Sequence, residues 1–490
     1  MAAGQWFALF VHALTMDAAL YFVLMKREKK ARVKPNKFLH FPGGDYIWPM
    51  IMADLQFGAP AHPAHKEHPS RLFVEITTRC NLCCGMCVKQ SGGGDIREGD
   101  LADETFGALM EAMSGLEGLV LSGIGEPLLH PRLEDFIRRA KALMPARGRV
   151  GFQTNGLLLT AERARAILAS GVDQICVSAD SATPGSSCAA EGLHPGDAMT
   201  ALDTLERAAR LEGRESFQAG IEFVAMRENI AELPVVIQSA AERGVRFAIV
   251  TQLLPYDAPM VRHAAYDTNT DAALAIFESW QRRAAARGID LSLYFGALRK
   301  YSRNSTETRV MKYAKGMVDE AAAGGVSLNI KSLLARDAAM LMRTREVFDE
   351  ARGIAERHGI ELTLPETVPH SARRCEFVEE GSAFVSWDGK VHPCHFLWHR
   401  FTCYLGGVMN TVKPFVYGDL AERSMHGIWN GEDFASFRRS VLRYDFPFCY
   451  DCSLALCDLV QTEDFVQDCH ISPVPCAACL WCTGLFNCMR

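Results

Sequence analysis

Four thiols stand within eight residues, at Cys80, Cys83, Cys84 and Cys87. Cys80, Cys84 and Cys87 follow a C-x3-C-x2-C spacing. Three thiolates on one loop can hold three irons of a four-iron cluster and leave the fourth iron open to another ligand, which makes that iron the place for chemistry. The same spacing also admits a zinc site, which would want a fourth ligand close by, or cysteines packed as small hydrophobes. Cys83 adds a further reading, a C-x-x-C with Cys80 joined by Cys87.

A second cysteine field begins at Cys375. Gly389 precedes Cys394 by four intervening residues, and Asp388-Gly389 followed by alternating residues predicts a β-hairpin that carries Cys394. Cys449, Cys452 and Cys457 follow, then Cys469, Cys476, Cys479, Cys482 and Cys488. A lobe this rich in cysteine depends on metal to fold. Zinc competes with iron here, because C-x-x-C pairs also build zinc ribbons.

Positioning the first loop falls to a run of short apolar strands, expected at 72–77, 118–123, 149–154, 173–179, 219–226 and 246–254. Between them, segments near 103–114, 131–144, 160–170, 196–213 and 229–243 repeat apolar residues at three and four. This alternation predicts an α/β fold with a parallel sheet and right-handed crossovers, a barrel or partial barrel with its ligand at the carboxyl ends of the strands. The cysteine loop falls at that end. So do Ser122 to Pro127 after the second strand, with Gly123 and Gly125 letting the backbone approach a ligand closely and Glu126 as an acceptor for an amine. Thr154-Asn155-Gly156, Ser178 to Ser181, Arg227 with Asn229, and Thr251-Gln252 follow the next four strands. Taken singly these are turn or cap residues; their shared rim argues for a site.

The chain has 490 residues, 49% of them hydrophobic and 22% charged, with a net charge of −6. Its length predicts two or three domains, and its charge does not favour nucleic acid as a partner. The 17 cysteines are clustered, which in a large chain argues for metal ligands in a reducing compartment, hence a cytoplasmic location. Gln5 to Met25 is largely apolar and precedes a basic run, but His12 and Asp17 interrupt it. A start at Met16 would leave too few residues to span a bilayer, so membrane attachment is not expected. The His-, Pro- and Gly-rich residues 35–70 read as an extended lead-in, and His62 to His68 as part of a solvated linker.

C-x3-C-x2-C after strand one, G-x-G-E-P after strand two, T-N-G after strand three and V-S-A-D-S after strand four together resemble the radical S-adenosylmethionine (radical SAM) enzymes, over roughly 70–255. The resemblance implies a partial (βα)6 barrel in which Cys80, Cys84 and Cys87 hold a [4Fe-4S] cluster. The open iron would be chelated by S-adenosylmethionine, which is cleaved to a 5′-deoxyadenosyl radical. It further implies that Gly123, Gly125 and Glu126 contact the methionine amine, Asn155 and Ser178 the ribose or carboxylate, and Arg227 the carboxylate. Met86 departs from the aromatic residue that often precedes the last cysteine.

The later field resembles the SPASM domain, which binds auxiliary [4Fe-4S] clusters. One or two such clusters are implied, with ligands drawn from Cys375, Cys394, Cys449, Cys452, Cys457, Cys469, Cys476, Cys479 and Cys488. The pattern departs from that family in having four residues before Cys457 and Gln461 at the next ligand place, and it leaves the roles of Cys83 and Cys482 open. The expected division is a lead-in over 1–69, the partial barrel over 70–255, a helical extension over 256–365 and a small cysteine-rich SPASM-like domain over 366–490.

The ending from Gln467 to Cys488 resembles that of maturases of tungsten-cofactor and related metalloenzymes. This implies a radical enzyme that modifies a protein, peptide or cofactor precursor, with a tungsten or other metal oxidoreductase as a possible protein partner and reduced ferredoxin or flavodoxin as electron donor. Two other readings stay open: a peptide-modifying enzyme that forms a thioether or carbon–carbon crosslink or oxidises a sulfatase residue, and a non-catalytic iron–sulfur carrier. The sequence assigns no general acid or base.

Overall fold

The alternation of short apolar runs with amphipathic segments becomes a parallel sheet in the computed structural model, which describes residues 62–91, 94–181, 195–449, 452, 457 and 464–489. The apolar stretch from Gln5 to Met25 and most of the lead-in lie outside the described residues. Strands β1 (Arg71–Val74), β2 (Gly118–Val120), β3 (Arg149–Thr154), β4 (Gln174–Ser178), β5 (Gln218–Ala225) and β6 (Phe247–Gln252) run side by side in sequence order, each parallel to the next. This is the arrangement that successive right-handed crossovers produce. Helices at Leu133–Leu143, Ala161–Ala169, Pro195–Leu211 and Leu233–Ala241 occupy four of the five expected crossovers. The first crossover is a short helix, Asp103–Ala108, that tightens into a 3-10 turn over Met110–Gly115. Thr160 starts its helix by accepting a hydrogen bond from the Arg163 N–H, which satisfies one of the free donors of the first turn.

The sheet continues past these six strands on both sides. A seventh strand, β7 (Glu361–Thr363), adds parallel to β6, and β8 (Ser382–Val385) adds parallel to β1 on its other edge. β9 (Lys390–His392) then turns back against β8, and β12 (Gly418–Asp419) pairs with β9. The ten strands form one sheet, so strands from the cysteine-rich C-terminal stretch extend the barrel wall. The Asp388-Gly389 hairpin forms where expected, with Gly389 at φ 84°, a conformation that glycine adopts without a Cβ clash. β10 (Phe401–Leu405) and β11 (Val408–Val412) make a separate two-stranded hairpin.

Between β6 and β7 lie the long helices Asp271–Ala285, Ser305–Ala323 and Ala338–His358. Phe277, Met317 and Leu333 belong to a core of their own. Among the described residues no helix is long and apolar enough to cross a membrane.

Successive residues of a strand point to opposite faces. Leu72, Leu119, Phe152, Ile175, Phe223 and Val250 join the main core beneath the helices. Phe73, Val120, Cys176, Phe247 and Ile249, one residue out of phase, gather with Met489 in a second apolar cluster on the concave side. Met489 arrives there because residues 485–489 run back along β6. The Gln252 N–H donates to the Leu485 carbonyl at 3.3 Å, and the Asn487 side-chain amide donates to the Val250 carbonyl at 2.8 Å. A Cβ on Gly151 would meet the Met489 methyl at 2.4 Å, so glycine makes room for this plug.

Candidate active site and thiol centres

The concave face changes character along each strand. Toward the carboxyl ends, the residues in phase with Phe73, Val120, Gly151, Cys176, Gly220 and Ile249 are Glu75, Ser122, Gln153, Ser178, Glu222 and Thr251. A polar ring therefore stands above an apolar floor, beside the cysteine loop.

The loop is held by main-chain contacts. The Gly125 N–H donates to the Thr77 carbonyl at 3.2 Å and the Glu126 N–H to the Arg79 carbonyl at 2.7 Å. A Cβ on Gly125 would lie 2.4 Å from the Arg79 carbonyl oxygen, and one on Gly123 would lie 2.4 Å from the Glu75 side chain. In the structure these glycines approach the first strand and the cysteine loop, where the sequence reading places a ligand. The Glu126 carboxylate is buried and accepts from the Leu128 N–H (2.9 Å), the Thr154 hydroxyl (2.7 Å) and the Asn155 N–H (2.8 Å). Burial pushes its pKa up against the pull of these bonds. The Asn155 amide donates to the Asn81 side chain inside the loop at 2.9 Å. Glu126 and Asn155 thus link the loops after strands one, two and three.

Ser178 lies at the end of β4 in register with Glu222. Arg227 is placed differently. It pairs with Asp337 at 2.6 Å and donates to the Ala264 carbonyl, lining a cavity of about 540 Å³ with Pro255, Tyr266, Asp267 and Tyr404.

Cys80, Cys84 and Cys87 are half-buried, whereas Cys83 is exposed. Burial raises the Cys84 thiol to about 12, reinforced by the charges of Cys87 and Cys80 and, from the loop after β4, of Asp180. Burial also raises Cys80 and Cys87, and the Lys89 ammonium opposes both shifts. Soft donors crowded so that their charges repel are suited to a cationic iron cluster, which favours the thiolate forms. Among the described residues no group of three or more His, Cys, Asp or Glu side chains is set to hold a single metal ion.

Asp180, within the Ser178 to Ser181 stretch, stands around this loop with two acidic residues that the sequence did not single out, Glu222 and Glu75. Asp180 is raised to about 6 by burial, and it accepts a hydrogen bond from the Val224 N–H. Glu222 is raised to about 8, first by burial and then by the Asp180 charge, and it accepts a hydrogen bond from the Gln153 amide. Glu75 is completely buried. It accepts from the Ile124 N–H at 3.2 Å and the Trp387 N–H at 3.4 Å, and it contacts His399 Nε2 at 2.9 Å. It therefore joins the G-x-G-E-P loop to the C-terminal segment. Period-two alternation was the signal available for Glu75, Gln153 and Glu222, since each shares a strand face with its neighbours on the ring.

The later cysteines sort into two groups. Cys375, Cys394, Cys476, Cys479 and Cys482 interact electrostatically. Cys394 is pushed to about 12 by burial and then by Cys479. Hydrogen bonds from Cys482 pull the Cys479 thiol down, against the opposing effect of burial. Cys449, Cys452, Cys457 and Cys469 form the second group, with Cys449 raised to about 12 by burial and its three neighbours. All four line a cavity of about 540 Å³. The groups adjoin, because the Cys449 N–H donates to the Ala477 carbonyl at 3.2 Å. Cys488 stands at the concave face, where it accepts from the Trp481 indole at 3.3 Å and lies 3.5 Å from His395 Nε2. Burial pushes its thiol up to about 12, and the Glu222 charge adds to this ahead of Cys394 and Cys479.

Comparison with known proteins agrees with this geometry. Residues 74–240 match the radical SAM superfamily and residues 375–453 match SPASM, an iron–sulfur cluster-binding domain. The chain is 27% identical over 422 residues to the tungsten-containing aldehyde ferredoxin oxidoreductase cofactor-modifying protein of Pyrococcus furiosus, covering 85% of this chain and 96% of that protein. It is 30% identical over 190 residues to a GTP 3′,8-cyclase of Synechococcus, and this match spans 36% of the chain and about half (54%) of the cyclase. Among solved structures, Streptococcus suis SuiB bound to S-adenosylmethionine aligns with a TM-score of 0.44 at 11% identity, over 79% of this chain and 71% of that one. The protein anSMEcpe with bound AdoMet aligns with a TM-score of 0.39 at 15% identity, over 76% of this chain and 83% of that one. The chain is thus a radical SAM enzyme with a C-terminal SPASM iron–sulfur domain, using S-adenosylmethionine, a [4Fe-4S] cluster and auxiliary clusters.

Proposed function

We propose that this enzyme modifies a protein, peptide or cofactor precursor during maturation of a tungsten or other metalloenzyme. The observation that carries this reading is the likeness to the Pyrococcus cofactor-modifying protein, which extends over nearly all of that protein. Cys80, Cys84 and Cys87 are the proposed ligands of the radical-generating cluster. Cys375, Cys394, Cys476 and Cys479 are those of one auxiliary cluster, and Cys449, Cys452, Cys457 and Cys469 those of another. The division into 1–69, 70–255, 256–365 and 366–490 is proposed with them, as are a cytoplasmic location and reduced ferredoxin or flavodoxin as donor.

When bound, the radical cluster and S-adenosylmethionine supply a 5′-deoxyadenosyl radical for hydrogen abstraction. The chain's own part is positioning. Gly123, Gly125 and Glu126 fix the loop that faces the methionine end, Asn155 and Ser178 face the ribose or carboxylate, and the apolar floor under Met489 keeps water from below. Arg227 is proposed as a carboxylate contact only after exchanging its Asp337 partner.

Anaerobically reconstituted enzyme, given S-adenosylmethionine, reductant and the cofactor-free form of a tungsten oxidoreductase, should form 5′-deoxyadenosine faster than without that acceptor and should change its mass or that of its cofactor precursor. Stimulation by a short precursor peptide instead would favour a peptide-crosslinking or sulfatase-type oxidation. No 5′-deoxyadenosine under any condition would favour a non-catalytic iron–sulfur carrier.

A further inference from the structure

Arg373 lies two residues before Cys375 and is nine-tenths buried. Its guanidinium sits over two rings, 3.4 Å from the Phe448 centroid and 4.5 Å from that of Phe446, and Nη1 donates to the Phe446 carbonyl at 2.7 Å. Nε and Nη2 are buried with no hydrogen-bond partner. Among the described residues no carboxylate pairs with it. Another buried guanidinium, Arg438, donates from Nε to the Ala64 carbonyl and from Nη1 to that of Trp429. A buried cation with two orphaned donors is unfavourable unless something negative and hydrogen-bond-accepting faces it.

What lies close by is the first C-terminal thiol group. Phe448, whose ring carries the guanidinium, directly precedes Cys449, whose N–H donates to the carbonyl of Ala477, between Cys476 and Cys479. The backbone fixes this placement from two sides. The Arg374 N–H donates to the Cys482 carbonyl at 2.7 Å, and the Cys375 N–H donates to the Tyr444 hydroxyl at 2.7 Å. The aromatic shelf of Phe446 and Phe448 holds the guanidinium at the seam between the two thiol groups, away from water.

We propose that Arg373 tunes the auxiliary cluster held by Cys375, Cys394, Cys476 and Cys479, raising its reduction potential by presenting a buried positive charge and two N–H donors to the cluster and its thiolates. This rests on the ligand reading given above. Adding one electron makes a thiolate-bound cluster more negative. A fixed cation and N–H donors toward sulfur stabilise that reduced form, and charge, hydrogen bonding and burial are known levers on the potential. Arg373 is a tuning residue and touches no substrate. It would make this centre the easier of the two auxiliary clusters to reduce.

The test is an anaerobic redox titration with dithionite, followed by electron paramagnetic resonance, on reconstituted full-length enzyme carrying Arg373→Gln or Arg373→Lys, with iron counted in each. The expected result is an unchanged iron content and a lower potential for one auxiliary signal. The fall in Arg373→Gln should reach at least tenfold in the reduction equilibrium, 59 mV for a one-electron couple. Arg373→Lys keeps the charge but loses the planar fork, so its shift should be smaller and in the same direction. A residue that only braces the fold would lower iron content or melting temperature and leave the potential of the remaining cluster in place.

Full iron with every potential unchanged overturns the proposal, as does an equal shift of both auxiliary signals. If Arg373→Gln does not retain iron, Arg373→Lys decides: a lower potential supports the proposal and an unchanged one overturns it. The ligand reading fails separately. If Cys476→Ala retains the full iron content and both auxiliary signals of the unaltered enzyme, no cluster sits on this thiol group and Arg373 has none to tune.

Discussion

The two cysteine regions hold their thiols in opposite ways. The first places Cys80, Cys84 and Cys87 on one half-exposed loop, fixed from behind by the backbone of the next loop. The second draws Cys375, Cys394, Cys476 and Cys479 from segments more than a hundred residues apart at their extremes. Burial is the leading cause of the raised pKa of Cys375, Cys394 and Cys476. A loop held only from behind keeps one side free for a further ligand. A group wrapped by several segments is closed, suited to electrons rather than substrate atoms. The difference lies in chain connectivity, since both regions supply the same sulfur donors.

The sharpest way to break this contrast is to remove thiols one at a time. Cys80→Ala, Cys84→Ala and Cys87→Ala should each abolish 5′-deoxyadenosine formation measured by chromatography, whereas Cys83→Ala, at an exposed position, should retain it. Activity lost with Cys83→Ala and kept with the other three would reassign the ligands. Next in size, Cys449→Ala and Cys476→Ala should each remove about 4 irons per chain, one four-iron cluster, leaving the radical cluster in place. Zinc recovered from either group in the unaltered protein would make that group a closed structural site instead.

Smaller effects test the braces. Gly125→Ala puts a methyl group against the Arg79 carbonyl, so the loop must shift. A loss of about 1–3 kcal/mol is expected in denaturant unfolding, with weaker S-adenosylmethionine binding by equilibrium dialysis. Glu75→Ala strands the Ile124 and Trp387 N–H groups and His399, and should also lose about 1–3 kcal/mol. Stability unchanged in Glu75→Ala would show that the two regions stand independently.

The smallest expected effect is on pH dependence. The folded pKa of Glu222, about 8, and that of Asp180, about 6, lie above their ordinary values because burial disfavours the charged forms. Each contribution favours the native state at low pH; that of Glu222 is lost as pH rises from 4.5 through about 8, and that of Asp180 from 3.8 through about 6. Melting temperature should therefore fall between pH 6 and pH 9 by less in Glu222→Gln than in the unaltered enzyme. Parallel curves would remove Glu222 from the titrating ring.

Much of the barrel was legible because its signals are local. Six strands and most of their helices follow from apolar period and caps such as Thr160. The cysteine loop follows from spacing within eight residues. The G-x-G-E-P loop was visible as chemistry, yet its detailed geometry was not: sequence shows that Gly125 permits close approach but not that Arg79 and Thr77 are what it approaches. β8 was legible only as part of a hairpin. Its partner β1 lies more than 300 residues earlier, a pairing that no local pattern encodes. The sorting of later thiols was hidden for the same reason, since Cys375 and Cys479 meet through the fold. Arg373 carries no motif, and its importance comes from what is missing around two of its nitrogens.

The position of β1 also orders events on the ribosome. Its partner β2 is made within about fifty residues, but β8 and the Met489 plug emerge only after most of the chain. Segments translated first begin to fold first. The N-terminal thiol loop is therefore synthesised long before the wall and floor that enclose its chamber. Closing that chamber last is an order of assembly written into the strand order.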